Sequence, residues 1–206
     1  GNIVLCENTR YHKGEKSNDE AFAKCIASLC DVYIMDAFGA SHRKHASTYG
    51  AIQFAKKACA GPLLSSEIES LKKAMGNPEK PLVAVIGGAK VSSKLGVIES
   101  LASICDCIIV GGGIANTFLL ANGNSVGNSL VEADMVEAAE RILQLKQVHV
   151  PIPTDVVVAK EFSSEAIALE KSIDQVEEDD LILDIGPETT NAYKELISSA
   201  RTIIWN

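Results

Sequence analysis

Short apolar runs that alternate with segments of helical periodicity constrain the fold of residues 80–206 more than any other feature. Each run has four or five residues that are apolar on both faces, as in parallel strands covered by helices on both sides. The runs are residues 82–86, 107–110, 156–159, 181–185 and 202–205. They predict an α/β fold: a doubly wound parallel sheet in a Rossmann-like, three-layer α/β/α arrangement, with ligands beyond the carboxyl ends of the strands.

The segments between these runs carry apolar side chains at helical spacing. The apolar stripes lie within residues 97–104, 136–143 and 192–197. Ser129 and Glu132 have the spacing of a capping box, which predicts that the second of these helices begins there and runs to about Lys146.

The first 60 residues repeat the pattern on a smaller scale. They predict a strand at residues 3–6, a helix at 19–29 and a second strand at 32–35. Two strands and one helix cannot close a core alone. A capping box from Ser66 to Glu69 and a stop at Gly76-Asn-Pro78 predict a helix over residues 63–78, which we interpret as a connector between two domains.

The turn after the strand at 82–86 has a composition suited to binding phosphate. It reads Gly87-Gly88-Ala-Lys90-Val-Ser-Ser-Lys94, and the glycines let backbone amides approach an anion closely. A helix that begins near Ser92 would point its positive N-terminus at the same place and would put Lys90 and Lys94 on one face. A solvated first helical turn is the alternative, but two cations at a helix N-terminus favour an oligophosphate partner.

Glycines also mark two further strand ends. Gly111, Gly112 and Gly113 follow the strand at 107–110, where a nucleotide base could lie against the backbone, although a tight strand-to-helix turn also uses glycine. Gly186 and Pro187 follow the strand at 181–185, which predicts three glycine-bearing tips along one sheet edge. The pattern is not the dinucleotide fingerprint, because no acidic residue ends the next strand to hold a ribose.

Two arginines follow predicted strands near the start of the chain. Arg10 lies in Glu7-Asn-Thr-Arg10-Tyr-His, and Arg43 lies in Asp36-Ala-Phe-Gly-Ala-Ser-His42-Arg43-Lys-His45. An arginine binds phosphate or carboxylate bidentately, and an ordinary salt bridge to Glu7 or Asp36 is an equal alternative. His42 and His45 lack a Cys or carboxylate partner in the pattern, so we favour hydrogen-bonding or anion-binding histidines over a metal site.

Charge and cysteine content exclude several classes of protein. The 206 residues carry 19 Lys and Arg against 27 Asp and Glu, a net charge of −8, so the overall field repels nucleic acid. No apolar run approaches the roughly 20 residues that cross a bilayer, and no secretory pattern opens the chain. The six cysteines have no zinc-like spacing and predict buried free thiols in a cytoplasmic protein.

Seven motifs, in order along the chain, resemble the phosphoglycerate kinase family in the style of its bacterial members. They are residues 5–12, 36–48, 61–64, 87–94, 111–118, 184–187 and 202–206. The resemblance implies a two-lobed glycolytic enzyme that transfers a phosphoryl group reversibly between ATP and the carboxyl group of 3-phosphoglycerate. It further implies a cytoplasmic monomer that uses Mg²⁺ with ATP or ADP and has no nucleic-acid or membrane partner.

The resemblance also implies roles for particular residues. Residues 1–62 would belong to the triose-phosphate-binding lobe, 63–78 would connect the lobes, and 79–206 would form most of the nucleotide-binding lobe. Arg10, His42 and Arg43 would bind the triose substrate. Lys90 would stabilise the phosphoryl group in transfer, and Lys94 would hold nucleotide phosphate. The nucleotide pocket would be shaped by Gly87, Gly88, Gly111, Gly112, Gly113, Gly186 and Pro187, with Asn206 at its margin.

Parts of the family pattern do not occur in these residues. The family's early substrate loop with its transition-state arginine, and its later aspartate that holds Mg²⁺, have no counterpart here, and residues 2–6 and 202–206 both look like severed strands. We therefore expect a central fragment with little activity of its own. A non-catalytic nucleotide-binding module is the alternative function, and the lysine-bearing turn disfavours an NAD-dependent oxidoreductase.

Overall fold

The computed structural model describes residues 1–206 and shows an α/β fold with parallel strands and helices. The helices are α1 (Lys13–Lys16), α2 (Glu20–Ser28), α3 (Ala51–Phe54), α4 (Pro62–Gly76), α5 (Leu95–Ala102), α6 (Gly113–Ala121), α7 (Val136–Leu143) and α8 (Pro187–Ser199). The strands are β1 (Tyr33–Met35), β2 (Ala58–Ala60), β3 (Leu82–Gly87), β4 (Cys107–Gly111), β5 (Asp155–Ala159), β6 (Leu169–Ser172), β7 (Leu181–Ile185) and β8 (Thr202–Trp205). Two compact units, Gly1–Lys73 and Ala74–Asn206, divide the chain. None of the helices is both long enough and apolar enough to cross a bilayer.

In the first unit, the predicted helix and second strand form, whereas the predicted first strand does not. α2 begins after Asp19, whose carboxylate accepts the Phe22 amide hydrogen at 2.8 Å as an N-cap. β1 pairs in parallel with β2. Residues 3–6 form no strand and have exposed side chains, because no other strand of the chain pairs with them. A short apolar run alone therefore did not produce a strand there.

A buried carboxylate organises the segment that follows Arg43. Glu15 is only 2% exposed and accepts hydrogen bonds from the Ser47 amide at 3.1 Å and the Ser47 hydroxyl at 2.5 Å. The Tyr33 hydroxyl donates to the Ser47 carbonyl at 2.6 Å. Charged groups are buried in proteins only when they are paired or hydrogen-bonded, so these contacts account for the burial of Glu15. They fix the short helical turn Ala46–Gly50 against α1 and β1.

The end of β1 determines where α4 begins. Asp36 accepts the Leu64 amide hydrogen at 2.8 Å, which caps the first turn of the helix. A side chain at Gly61 would overlap the Asp36 carboxyl, so glycine is needed for this approach. The helix therefore starts at Pro62, next to the predicted start at residue 63 and without a capping box at Ser66, and its end at Gly76 agrees with the predicted stop.

Three parallel strands form the central sheet of the second unit, in the order β4-β3-β8. The register pairs Gly87 with Gly111 and Val85 with Trp205, so the three carboxyl ends lie side by side. Helices α5, α6 and α7 pack on this sheet through fully or nearly fully buried side chains. These are Leu82, Ile86, Ile108 and Val110 from the strands and Ile98, Leu101, Phe118 and Ile142 from the helices.

A separate antiparallel sheet, in the order β6-β5-β7, corrects part of the prediction. The runs at 156–159 and 181–185 were expected in the parallel sheet, but β5 pairs antiparallel with both β6 and β7. β5 is nonetheless buried almost completely, with Val156 at 1% and Val158 at 0% exposure. A run that is apolar on both faces predicts a buried strand, but burial does not specify the neighbouring strand or the direction in which the two strands pair.

Asp155, at the start of β5, caps helix α8. Its carboxylate accepts the Glu188 amide at 2.8 Å, the Thr189 amide at 2.7 Å and the Thr189 hydroxyl at 2.6 Å. Burial alone would raise the pKa of Asp155, but the hydrogen bonds from Thr189 and Glu188 outweigh burial and lower the pKa. The negative charge also lies at the positive end of the α8 dipole.

The six cysteines are free thiols, but only two of them are buried. Cys105 and Cys107 are buried, Cys30 is partly buried, and Cys6, Cys25 and Cys59 are exposed. The prediction of buried thiols was therefore wrong for the three exposed ones. Burial raises the pKa of both Cys105 and Cys107 to about 11, so these thiols are almost entirely protonated near neutral pH.

We expect the reaction of the folded chain with Ellman's reagent at pH 8 to separate the three exposed from the two buried cysteines, with the partly buried Cys30 reacting between them. The three exposed thiols should react in a fast phase, whereas Cys105 and Cys107 should react only as the chain opens, because the thiolate is the reactive species. All thiols should react at once in guanidinium chloride. The Cys107→Ser variant should lose one slow equivalent and no fast one, and a fast phase that includes Cys105 or Cys107 would contradict the structure.

Candidate functional site

The carboxyl ends of β3, β4 and β8 create the candidate site of the second unit. Asn206 is fixed at this edge, since its amide donates to the Val85 carbonyl at 2.9 Å and its carbonyl accepts the Gly87 amide at 3.0 Å. The predicted tips at Gly87 and Gly111 therefore meet. Gly186 follows a strand of the antiparallel sheet, so the expectation of three glycine tips on one sheet edge was wrong.

The two glycine-rich turns at this edge pack directly against each other. The Ile114 amide donates to the Gly88 carbonyl at 3.1 Å. Gly112 has a φ of 65°, and a Cβ there would lie 2.9 Å from the Gly88 carbonyl oxygen. A Cβ at Gly113 would overlap the Ala89 carbonyl oxygen. The glycines are therefore required by the contact between the turns, in addition to any ligand.

Lys94 points into the site from the start of α5. Its ammonium group donates to the side-chain oxygen of Asn206, so a cation and an amide lie together at the sheet edge. The helix begins at Leu95, after a turn in which the Lys94 amide donates to the Val91 carbonyl at 2.8 Å. Lys90 lies before that turn and is exposed. The prediction of a shared helical face for the two lysines was therefore wrong.

Ser92, between the two lysines, is bound by a distant carboxylate. Glu132 accepts the Ser92 amide at 2.9 Å and the Ser92 hydroxyl at 2.7 Å. These two hydrogen bonds, helped by the positive charge of Lys90, lower the pKa of Glu132. No local pattern could predict this pair, because 40 residues separate its members.

The predicted capping box at Ser129 and Glu132 does not form. The Ser129 hydroxyl donates to the Val126 carbonyl and accepts the Ile182 amide at 2.8 Å, and α7 begins only at Val136. The spacing of a capping box was present, but tertiary partners bind both side chains instead.

A cavity of about 880 Å³ opens beside the glycine turns and lies wholly within the second unit. Its volume is within the range of small-molecule sites. Apolar side chains from both sheets and the glycine backbone form most of its wall. The wall includes Gly87, Gly111, Gly112, Gly113, Asn116, Leu130, Ile182, Ile185 and Trp205. Such a wall suits a flat aromatic ligand with a polar end toward Lys94.

Gly186 and Pro187 do not line the cavity themselves. They begin α8, and a Cβ at Gly186 would overlap the Asp155 carboxyl that caps the helix. The residues of β7 that precede them do line the cavity. Glycine at position 186 thus allows the cap, which supports the cavity wall indirectly.

Arg10, His42 and Arg43 lie in the first unit, and all three are exposed. Neither arginine forms the salt bridge that was the alternative prediction, because Asp36 caps α4 instead. The Arg43 guanidinium contacts the His42 ring, with 3.4 Å between Nε and Nε2. The side chains of Arg10 and Arg43 are therefore available to an anionic ligand.

His45 and the acidic cluster near β7 have structural partners. The His45 Nδ1 atom lies 3.9 Å from the buried Glu15 carboxylate.

The carboxylate oxygens of Glu177, Asp179 and Asp180 lie within 4.8 Å of one another. The ammonium groups of Lys160 and Lys171 lie between 2.6 and 3.0 Å from oxygens of these carboxylates. The cluster is an ion-pair network of two cations and three anions.

The geometry of the second unit combines an apolar cavity with a cationic, amide-rich edge. Backbone amides, the Lys94 ammonium group and the side-chain amide N–H group of Asn206 can donate hydrogen bonds to phosphate at this sheet edge, and the adjoining cavity can hold an aromatic ring. The arrangement is therefore suited to a nucleoside polyphosphate.

Comparisons with known proteins agree with this geometry. The family model described as phosphoglycerate kinase matches residues 1–206. A phosphoglycerate kinase structure from Coxiella burnetii is 50% identical over 98% of this chain, with a TM-score of 0.76. A phosphoglycerate kinase structure from Pyrococcus horikoshii is 28% identical over 97% of it, with a TM-score of 0.72. This chain spans 53% of the length of each of those two structures, or about half.

Proposed function

The chain belongs to the phosphoglycerate kinase family, and on that premise we propose that its second unit binds the nucleotide for reversible phosphoryl transfer between ATP and 3-phosphoglycerate. The contact between Lys94 and Asn206, beside the glycine turns and the cavity, is the observation that carries this proposal. The reaction would be the glycolytic step in which 1,3-bisphosphoglycerate and ADP yield 3-phosphoglycerate and ATP.

Different residues of the sheet edge would bind different parts of the nucleotide. The base would lie in the cavity against Gly111–Gly113, and Lys94 and Asn206 would bind the phosphates of the nucleotide. Lys90 is exposed and has no ion-pair partner, so it can reach the phosphoryl group during transfer. That group spreads negative charge over its oxygens in the transition state, and a positioned ammonium group stabilises it there.

The first unit would contribute the triose substrate site. Arg10, Arg43 and His42 are exposed and not engaged by carboxylates, which supports their assignment to the phosphate of 3-phosphoglycerate. α4, which spans Pro62–Gly76, would connect the two lobes. We also propose that the protein acts as a monomer in the cytoplasm, where its free thiols would stay reduced.

Mg²⁺ would enter the site with the nucleotide phosphates. Mg²⁺ sites in nucleotide enzymes usually combine phosphate oxygens with one or two carboxylates. At this edge the Glu132 carboxylate is engaged by Ser92, and Asn206 offers a neutral amide oxygen. The residues of this edge fit phosphate binding and supply no free carboxylate, and the exposed carboxylate that lines the cavity, Asp184, lies on β7 of the other sheet. We therefore expect the 206-residue chain alone to transfer phosphate slowly.

Titration of the 206-residue chain with ADP tests the proposed site. Trp205 is the single tryptophan and lines the cavity, so base binding should change its fluorescence. Lys94→Ala should weaken ADP binding by about 10- to 100-fold, the effect of losing a hydrogen bond to a charged group. Lys146→Ala, which removes an exposed lysine that has no ion-pair partner, should leave the affinity unchanged.

The outcomes separate the competing functions. ADP binding that Lys94→Ala weakens, with no binding of NAD, supports the nucleotide site. Absence of ADP binding, or equal binding by the Lys94→Ala and Lys146→Ala variants, would refute it. If a kinase of full family length that carries these 206 residues bound ADP but showed no turnover in a coupled assay, the non-catalytic module would be the better function.

A further inference from the structure

The segment Lys90–Lys94 has little internal structure to hold its two lysines in place. Within it, the Lys94 amide donates to the Val91 carbonyl and the Ser93 hydroxyl donates to the Lys90 carbonyl, each at 2.8 Å. Val91 is fully buried and anchors one point of the backbone. Between that anchor and the Lys94 side chain, the two hydrogen bonds from Ser92 to Glu132 are the contacts that hold the backbone from outside.

Glu132 is itself held by the first turns of α6. Its amide donates to the Thr117 hydroxyl at 3.2 Å, and that hydroxyl, fully buried, donates to the Gly113 carbonyl at 3.2 Å. The Asn116 amide group donates to the Leu130 carbonyl at 3.3 Å, which holds the same segment a second time. The segment 130–132, which we call the strap, is therefore hydrogen-bonded to α6 at the glycine turn, and the Glu132 carboxylate extends from it.

The strap joins the two halves of the candidate site. Gly113 and Asn116 line the cavity, whereas Ser92 lies between the lysines of the phosphate-binding turn. Glu132 also places a negative charge near Lys90, which offsets repulsion between the two ammonium groups. A shift of about 1 Å in a catalytic group can cost about 10²-fold in rate, so the position of this turn has kinetic consequences.

We propose that Glu132 is a positioning residue that, through Ser92, fixes the backbone carrying Lys90 and Lys94 in line with the nucleotide site. The inference rests on the proposed function of that site. Glu132 acts on the reaction through the turn, and its own carboxylate is occupied by Ser92.

The test uses a kinase of full family length that carries these 206 residues. Glu132→Ala should lower kcat about 10- to 100-fold and leave the KM for 3-phosphoglycerate within about twofold, because the triose site is in the other unit. Ser92→Ala should act in the same direction, and the double variant should be little worse than Glu132→Ala alone, since the two residues form one interaction. Glu132→Gln should recover part of kcat, because its amide oxygen still accepts one hydrogen bond.

Two controls separate positioning from a general loss of structure. Glu137→Ala, which removes an exposed carboxylate of α7, should leave kcat and the melting temperature unchanged. In a Lys90→Ala background, Glu132→Ala should lower kcat only about two- to threefold, because the main group that it positions is gone. A full 10- to 100-fold loss in that background, or an unchanged kcat in the Glu132→Ala variant itself, would overturn the inference.

Failure of the proposed function would look different. In that case Lys90→Ala and Lys94→Ala would also leave turnover and ADP binding unchanged. If those two variants lose activity while Glu132→Ala does not, the nucleotide site stands and only the positioning role is refuted.

Discussion

Replacing Lys90 with alanine in a kinase of full family length that carries these 206 residues is expected to lower kcat by about 10²- to 10³-fold. The figure corresponds to about 2.7 to 4 kcal/mol, the effect of removing one preorganised group that stabilises transition-state charge. Removing the Lys90 side chain should leave no buried group unpaired, since Lys90 is exposed and forms no ion pair. The loss should therefore appear in kcat, and the melting temperature should stay within about one degree of the parent.

The comparison with Lys94→Ala makes the assignment specific. Lys94 contacts Asn206 at the sheet edge, so its removal should raise the Kd for ADP, whereas Lys90→Ala should change that Kd by less than about threefold. Initial-rate kinetics together with ADP titration would measure both effects. Lys146→Ala serves as the charge-matched control. An unchanged kcat in the Lys90→Ala variant would refute the role assigned to Lys90. Equal effects of the two lysine variants on the Kd for ADP would refute the assignment of nucleotide binding to Lys94 and of transition-state stabilisation to Lys90.

Local patterns predicted the elements that depend on local chemistry. The runs at 82–86, 107–110 and 202–205 correspond to β3, β4 and β8. Asp19 caps α2 because an N-cap needs only a side-chain oxygen and an amide three residues later. The glycine turns could be predicted for the same reason, since glycine accommodates the φ of 65° at residue 112 without steric cost.

Features that depend on distant partners could not be predicted from local patterns. β5 and β7 have the composition of parallel strands, but they pair antiparallel in their own sheet. Glu132 has the spacing of a capping residue and binds Ser92 instead, and the α4 cap comes from Asp36, which follows β1. For Glu132 the local signal identified a residue able to accept hydrogen bonds. The choice of donor was made by the tertiary fold.

A methyl group added at Gly113 is expected to damage both the stability of the second unit and the affinity for ADP. The Cβ of Gly113→Ala would overlap the Ala89 carbonyl oxygen, which is backbone and cannot rotate away. Overpacking of this kind costs about 1 to 3 kcal/mol. Because the shift separates the two glycine turns, the free energy of unfolding should fall by that amount in urea titrations, and ADP affinity should fall at least about 10-fold.

Gly96→Ala provides the matched control, because the same methyl group at that position meets open space on an exposed face of α5. It should stabilise the chain by about 0.5 to 1 kcal/mol, since alanine loses less backbone entropy than glycine in a helix. Measurement of ADP affinity well below the unfolding midpoint separates the two consequences of Gly113→Ala. If ADP affinity survived while stability fell, the contact between the turns would support only the fold. If both parameters matched those of Gly96→Ala, the close packing of the turns would be refuted.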